Sequence, residues 1–386
     1  MFKADKQVYF SQPNQMLIVI YVLLSLFGSF IFFDISTNNV ALKPIIKQII
    51  WLMSGFSFVF IILRYNLAFK IEKIFNKKII YFLLLFSYIL LFWVLNKGVV
   101  VNGAKRWINI FGISFQPSSL IMLILIMYYA EMLSRKVELI RSKKFSDIVK
   151  VFALPSIITG IIFILIFKEK HLSILLITSA TIFTMIYVAG LRKRYFLSII
   201  LIGILGLGLI LFGSSKKNYR NERINLWKKY NFFLRKYNDY DKISVSSRQV
   251  KESLIAITAG GLAGKGFSGG RSKYKFLSEV TSDYIFSIVN EEFGFIAGTL
   301  VIIGYLFIFL FSIQSVGFHE SLYLKFLTIG ISMLIFYTVL VNIGVATSLL
   351  PSTGVPLPFL SYGGTAFWIN SIELGILTNL TKKTKI

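Results

Sequence analysis

Apolar segments long enough to cross a bilayer recur about ten times along this chain, separated by short polar or basic stretches, and no soluble core accommodates that pattern. With 56% hydrophobic residues and 38 Phe in 386 positions, the apolar residues outnumber what one globular interior can bury. The fold class that follows is an all-α polytopic membrane protein in one domain spanning residues 1–386. Ten transmembrane helices are expected near residues 16–33, 49–63, 79–95, 117–133, 149–167, 172–190, 195–213, 286–313, 323–346 and 359–379. The first span continues into polar Asp34-Ile-Ser-Thr-Asn-Asn39 with no small-residue cleavage site, so it is read as retained.

Orientation follows from Lys and Arg in the short loops, which stay on the cytoplasmic side. Residues 64–78 carry Arg64, Lys70, Lys73, Lys77 and Lys78; residues 135–150 carry Arg135, Lys136, Arg141, Lys143, Lys144 and Lys150; residues 192–194 read Arg-Lys-Arg. These loops, and with them both termini, are placed inside. A long loop at about residues 214–283, between helices seven and eight, then lies outside the cytoplasm. It is also basic, but long loops translocate regardless of charge. The net charge of +25 therefore divides between inside loops facing anionic lipid and this outer loop, where an anionic lipid or pyrophosphate headgroup is a better partner than nucleic acid.

Absences narrow the chemistry. There is no Cys, and the two His residues, His171 and His319, are far apart, which excludes thiolate chemistry and argues against a His-rich metal site or a His-dependent triad. Acid–base work falls to carboxylates. Four of the 17 acidic residues, Glu279, Asp283, Glu291 and Glu292, fall within residues 277–298, where the basic loop runs into an apolar helix, and the chemistry is placed there. The cluster Gly260-Gly-Leu-Ala-Gly-Lys-Gly-Phe-Ser-Gly-Gly270 lacks the spacing of a nucleotide phosphate loop. Two readings of it stand side by side: a flexible loop that lets backbone approach a headgroup, or a plain bend.

Three segments carry a resemblance. They are Asn102-Gly-Ala-Lys-Arg-Trp-Ile-Asn-Ile-Phe-Gly-Ile-Ser-Phe-Gln-Pro-Ser118, the stretch from Gln249 to Gly266 that continues into the carboxylates, and Leu350-Pro-Ser-Thr-Gly-Val-Pro-Leu-Pro-Phe-Leu-Ser-Tyr-Gly-Gly364. In order and spacing they resemble the SEDS family, which comprises FtsW, RodA and SpoVE. The resemblance implies a peptidoglycan glycosyltransferase of the bacterial plasma membrane that polymerises lipid II at the outer face. It implies as partners a class B penicillin-binding protein, a transpeptidase, and the proteins of the divisome or elongasome. Residues 101–107, 219–224 and 253–257 look more like FtsW than RodA, which favours septal wall synthesis. An elongation polymerase, a lipid II flippase and a non-catalytic scaffold are the alternatives.

The family's essential Asp maps onto Asp283 and the Glu before it onto Glu279. A carboxylate suits the role of base toward an acceptor hydroxyl when the donor carries a pyrophosphate leaving group, and the competing reading makes Asp283, Thr281 or Ser282 a helix cap. Arg106 and Lys105, in what is expected to be a short outer loop, are assigned to the headgroup or leaving group, against the alternative that they pair with local carbonyls; Trp107 is an interfacial anchor. Further substrate-binding residues expected are Gln116, Arg223, Lys265, Glu279, Ser361 and Gly363. No metal ligands are assigned, and a divalent cation such as Mg2+ stays open as a cofactor. Glu291 and Glu292 are expected to hydrogen-bond inside the bundle. The chain departs from the family at Ser119 and Met122, where relatives usually carry a Glu and a Lys, at Lys170-His-Leu-Ser173, and at Ser278.

Overall fold

The computed structural model describes residues 13–37, 42–67, 77–101, 104–110, 113–198, 227–228, 230–231, 245–273 and 281–381. Ten α-helices are named here: α1 (Pro13–Thr37), α2 (Leu42–Arg64), α3 (Lys77–Lys97), α4 (Pro117–Ile140), α5 (Phe145–Lys168), α6 (Leu172–Val188), α7 (Val245–Ala259), α8 (Ile285–Ser315), α9 (Leu322–Ala346) and α10 (Gly364–Leu380). Seven of the described helices, α1–α5, α8 and α9, are long and apolar enough to cross a membrane. Nine of the ten expected spans are thus helical; of the seventh, at 195–213, only residues 195–198 are described, and these too are helical. The last span starts at Gly364 rather than near 359, because the Pro-rich segment before it is not helical.

Burial sorts the helices. In α4, 83% of the most apolar window is buried, against 28% in α2 and in α5, so α4 is the central post of the bundle. It packs on α3, α5, α6 and α9. The outer helices turn Val19, Leu23 and Phe30 of α1, Phe82 and Phe92 of α3, and Phe295, Leu300 and Leu310 of α8 outward, as lipid-facing helices do. Small residues allow the closest approaches. The missing side chain of Gly28 leaves room for the backbone of Leu360, and Gly364 seats the ring of Trp51 between α2 and α10.

Where a short outer loop is expected before α4, the described residues of 99–115 are strands. They form an antiparallel meander of β1 (Val99–Val101), β2 (Ala104–Ile110) and β3 (Ile113–Phe115), in the order β1-β2-β3, with Val100 opposite Lys105 and Ile108 opposite Phe115. Ile108 packs with Leu90 and Val94 of α3, which fixes the meander over the end of that helix.

Helix α8 is broken by its own sequence. Gly294 adopts φ 75°, ψ −177°, so the carbonyls of Glu291 and Glu292 lose their helical partners. The glycine-rich segment supplies replacements. The amides of Lys265 and Gly266 donate to Glu291 O and Glu292 O at 3.0 and 2.9 Å, and those of Phe295 and Ile296 donate to Gly261 O and Leu262 O at 2.9 and 3.2 Å. The contact requires glycine, since a Cβ on Gly260 or Gly264 would lie 1.8 or 2.2 Å from α8 backbone oxygens. Gly260 and Gly264 therefore let one backbone mend another, while Gly261 and Gly266 have open space around them.

Candidate active site

The meander decides which cation reaches the carboxylate stretch. Successive strand residues point to opposite faces, so Lys105 and Arg106 diverge. Lys105 Nζ donates to Leu95 O and Asn96 O, at 3.3 and 3.5 Å, and caps α3. Arg106 turns the other way: Nε donates to Glu169 O at 3.3 Å and Nη2 to Lys170 O at 2.6 Å. The local-carbonyl alternative thus describes Lys105 and two of the Arg106 nitrogens. The third, Nη1, points to Gly354: a Cβ on that glycine would lie 3.4 Å from Arg106 Nη1 and 3.6 Å from Asp283 Oδ2. Arg106 and Asp283 flank one bare point of backbone.

Asp283 stands just before α8, whose N-cap is Tyr284 and lacks a side-chain capping bond, so neither Asp283 nor Ser282 nor Thr281 is the cap residue. The segment is held by main-chain bonds to the Pro-rich loop. Ser361 Oγ donates to Ser282 O at 2.5 Å and accepts from Leu357 N at 2.8 Å, and Tyr362 N donates to Thr281 O at 2.8 Å. Asn342 of α9, 1% exposed, donates through Nδ2 to both Asp283 O (3.0 Å) and Val355 O (2.7 Å). The Tyr305 hydroxyl of α8 bonds Pro358 O. A non-helical segment inside a membrane protein needs such internal partners, and Asn342 and Tyr305 provide them.

Around Arg106 the α5–α6 turn buries Glu169 and His171 and leaves Lys170 exposed. Lys170 takes a left-handed φ of 60°, and His171 Nδ1 lies 3.1 Å from Gln116 Nε2. Glu169 is 1% exposed, and neither carboxylate oxygen has a hydrogen-bond partner among the described residues. Burial pushes its pKa up to about 8, against the opposing pull of the Arg106 charge.

The remaining expected residues fall elsewhere. Lys265 pairs with Glu291 at 3.1 Å, and the same carboxylate accepts from Arg271 N and Ser272 N at 2.9 and 3.1 Å, so this ammonium is committed to docking its own loop. Glu292 meets Lys273 at 2.8 Å, and Lys273 also pairs with Asp34 of α1. Glu291 and Glu292 are thus bonded in the interior, Glu291 to the glycine-rich loop and Glu292 to a lysine of that loop that also reaches α1. Burial alone would depress the Lys273 ammonium; the bonds and charges of Asp34 and Glu292 more than reverse that and hold its pKa above the usual value. Trp107 is half-buried opposite Val99, and Gly363 stands open at the start of α10. Arg223 and Glu279 lie outside the described residues. Sequence reading missed Asn342, Glu169 and Lys273; a polar residue inside an apolar span, as Asn342 is, was the available signal.

Comparison with known proteins places the chain in a family. The profile of the FtsW/RodA/SpoVE family, described as cell cycle proteins, matches residues 13–386. Stage V sporulation protein E of Bacillus subtilis is 33% identical over 306 residues, covering 78% of this chain and 79% of that protein. A probable peptidoglycan glycosyltransferase FtsW of Geobacter sulfurreducens is 31% identical over 302 residues, covering 77% and 75%. A chain from a peptidoglycan synthase complex that coordinates polymerization and crosslinking superposes with a TM-score of 0.72 at 21% identity, over 97% of this chain and 98% of that one. With a family match along nearly its whole length and apolar spans to agree, this chain is a multi-pass membrane protein that belongs to the FtsW, RodA and SpoVE family.

Proposed function

We propose that this chain is a peptidoglycan glycosyltransferase that polymerises lipid II, with Asp283 as general base. The observation that carries the reading is that Asp283 Oδ2 and Arg106 Nη1 both approach Gly354, 3.6 and 3.4 Å from where its Cβ would stand. In the reaction, an acceptor hydroxyl forms a C–O bond to the anomeric carbon of the donor as the bond from that carbon to pyrophosphate breaks. The hydroxyl proton passes to the Asp283 carboxylate, and the electron pair leaves with the lipid pyrophosphate, whose charge Arg106 faces. Arg106 is anchored by two carbonyls and so presents its guanidinium at little further entropic cost. Among the described residues no three His, Asp or Glu side chains converge as a metal site. A divalent cation commonly binds through one or two carboxylates with substrate phosphate oxygens, a donor set that Asp283 and a bound pyrophosphate would meet; the cation would neutralise leaving-group charge.

The site belongs on the outer face of the bacterial plasma membrane, with both termini cytoplasmic and a class B penicillin-binding protein alongside, within the division machinery that the FtsW-like motifs favour. Two measurements test this. Purified chain with its transpeptidase partner makes glycan strands from labelled lipid II; bilayer flipping of lipid II with no strands would move the flippase reading ahead. In this Cys-free chain, Ser246→Cys reacts with an impermeant thiol reagent from outside and Ser142→Cys does not, and reversed labelling ends the orientation.

A further inference from the structure

Beside Gly354 lies a small, partly open cavity of about 30 Å3, bounded by α4, α6, α9, α10 and the Pro-rich segment at Gly354, Val355 and Pro356. That is room for one small polar group and not for a whole ligand. Its wall is mostly apolar, from residues such as Ile174, Ile177 and Leu334, with six polar side chains: Gln116, Ser119, His171, Thr338, Asn370 and Glu373.

Glu373 is the unusual member. It is 2% exposed, lines the cavity and has no hydrogen-bond or ion-pair partner among the described residues. A buried carboxyl group left without a partner is costly, so a native protein that keeps one has a use for it. Ala366, Asn370 and Glu373 follow one another at helical spacing, which stacks them on one face of α10, with the small Ala366 leaving the row open. Across the cavity, Ser119 and Met122 of α4 bring neither a charge nor a counter-ion.

The lining selects the chemistry of the occupant. It holds neither Lys nor Arg, so it does not suit phosphate, and its single carboxylate does not make a metal cage. A neutral group bearing O–H or N–H fits, because a carboxyl group and two amides accept and donate to it in either protonation state. Gly354 separates this cavity from Asp283 and Arg106 by no more than a backbone. We propose that Glu373, aided by Asn370 and Gln116, is a specificity-determining residue that hydrogen-bonds a hydroxyl or acetamido group of the saccharide held against Asp283. This rests on the glycosyltransferase reading.

The test is steady-state kinetics of purified chain with its partner on lipid II. Glu373→Met, apolar and of similar length, raises KM about 10-fold while kcat changes less than about 2-fold, and Glu373→Gln recovers most of the loss because it still hydrogen-bonds. A parental KM in Glu373→Met overturns the proposal, as does a loss confined to kcat. So does Glu373→Gln failing as badly as Met, which marks a cation site. Should Glu373→Met not fold, Ala366→Cys answers separately: a small methanethiosulfonate reagent labels it, and lipid II slows the labelling. Absence of that protection overturns the proposal. Parent protein that makes no glycan strands sinks the glycosyltransferase reading, whereas active parent with a KM unmoved by Glu373→Met sinks this inference alone.

Discussion

Two loops pack against the first turns of α8, and they are held by opposite means. Residues 260–273 are fixed by charge: Lys265 on Glu291, and Lys273 between Glu292 and Asp34, both carboxylates and the ammonium at most 4% exposed in the latter cluster. Residues 350–363 are fixed by neutral bonds from Asn342, Tyr305, Ser361 and Tyr362 to main-chain atoms. Of the acidic cluster read from the sequence, Glu291 and Glu292 are spent on architecture, while Asp283 sits where the frame is uncharged. Ion pairs lock one loop, and the other is shaped so that charge is reserved for a ligand.

The largest expected effect tests the ionic side. Lys273→Met strands two buried carboxylates and costs about 3–5 kcal/mol, seen as a large drop in detergent melting temperature. Combining it with Asp34→Asn and Glu292→Gln restores much of that loss; a single variant that melts like the parent would show that the triad holds nothing. Next comes Asp283→Asn, which keeps shape but removes the proton acceptor. Polymerisation falls by at least about 10², or roughly 2.7 kcal/mol, while melting and partner co-purification stay as in the parent. Parental polymerisation by this variant would remove Asp283 as base.

A smaller effect probes the neutral side. Asn342→Ala leaves the Asp283 and Val355 carbonyls without their donor and costs about 1–3 kcal/mol. Because Asn342 positions rather than reacts, kcat falls further than the loss of stability explains, with partner binding intact. Equal losses from any polar-to-Ala change in α9 would make it mere packing. The last test concerns Glu169. Its folded pKa, about 8, exceeds the ordinary carboxylate value, so its contribution to stability is full below about pH 4.5 and is lost as pH rises toward 8. Parent protein therefore loses melting temperature across that window relative to Glu169→Gln, and parallel curves would contradict the buried, unpartnered placement.

Much of this was legible in the sequence because lipid imposes a simple rule. Apolar length located nine described helices, and Pro117 marked the start of α4, where it occupies the first turn. Three prolines correctly announced a non-helical segment before α10. What stayed hidden depends on partners distant in the chain. Lys273 and Asp34 are 239 residues apart, and nothing local to either announces the other. The divergence of Lys105 and Arg106 follows from strand alternation, which becomes visible once 99–115 is known to be a meander rather than a loop. The glycines of 260–270 signalled close approach, but not that the surface approached was a gap in α8.

That gap bears on how the protein opens. Helix amides normally exchange with solvent hydrogen through fraying of their own helix, and loop amides exchange freely. Here Lys265 and Gly266 donate into α8, and Phe295 and Ile296 donate into the loop. Neither pair is released unless both segments separate. The four amides then share one opening event, and a surface loop acquires the slow exchange of a membrane helix, as a single cooperative unit.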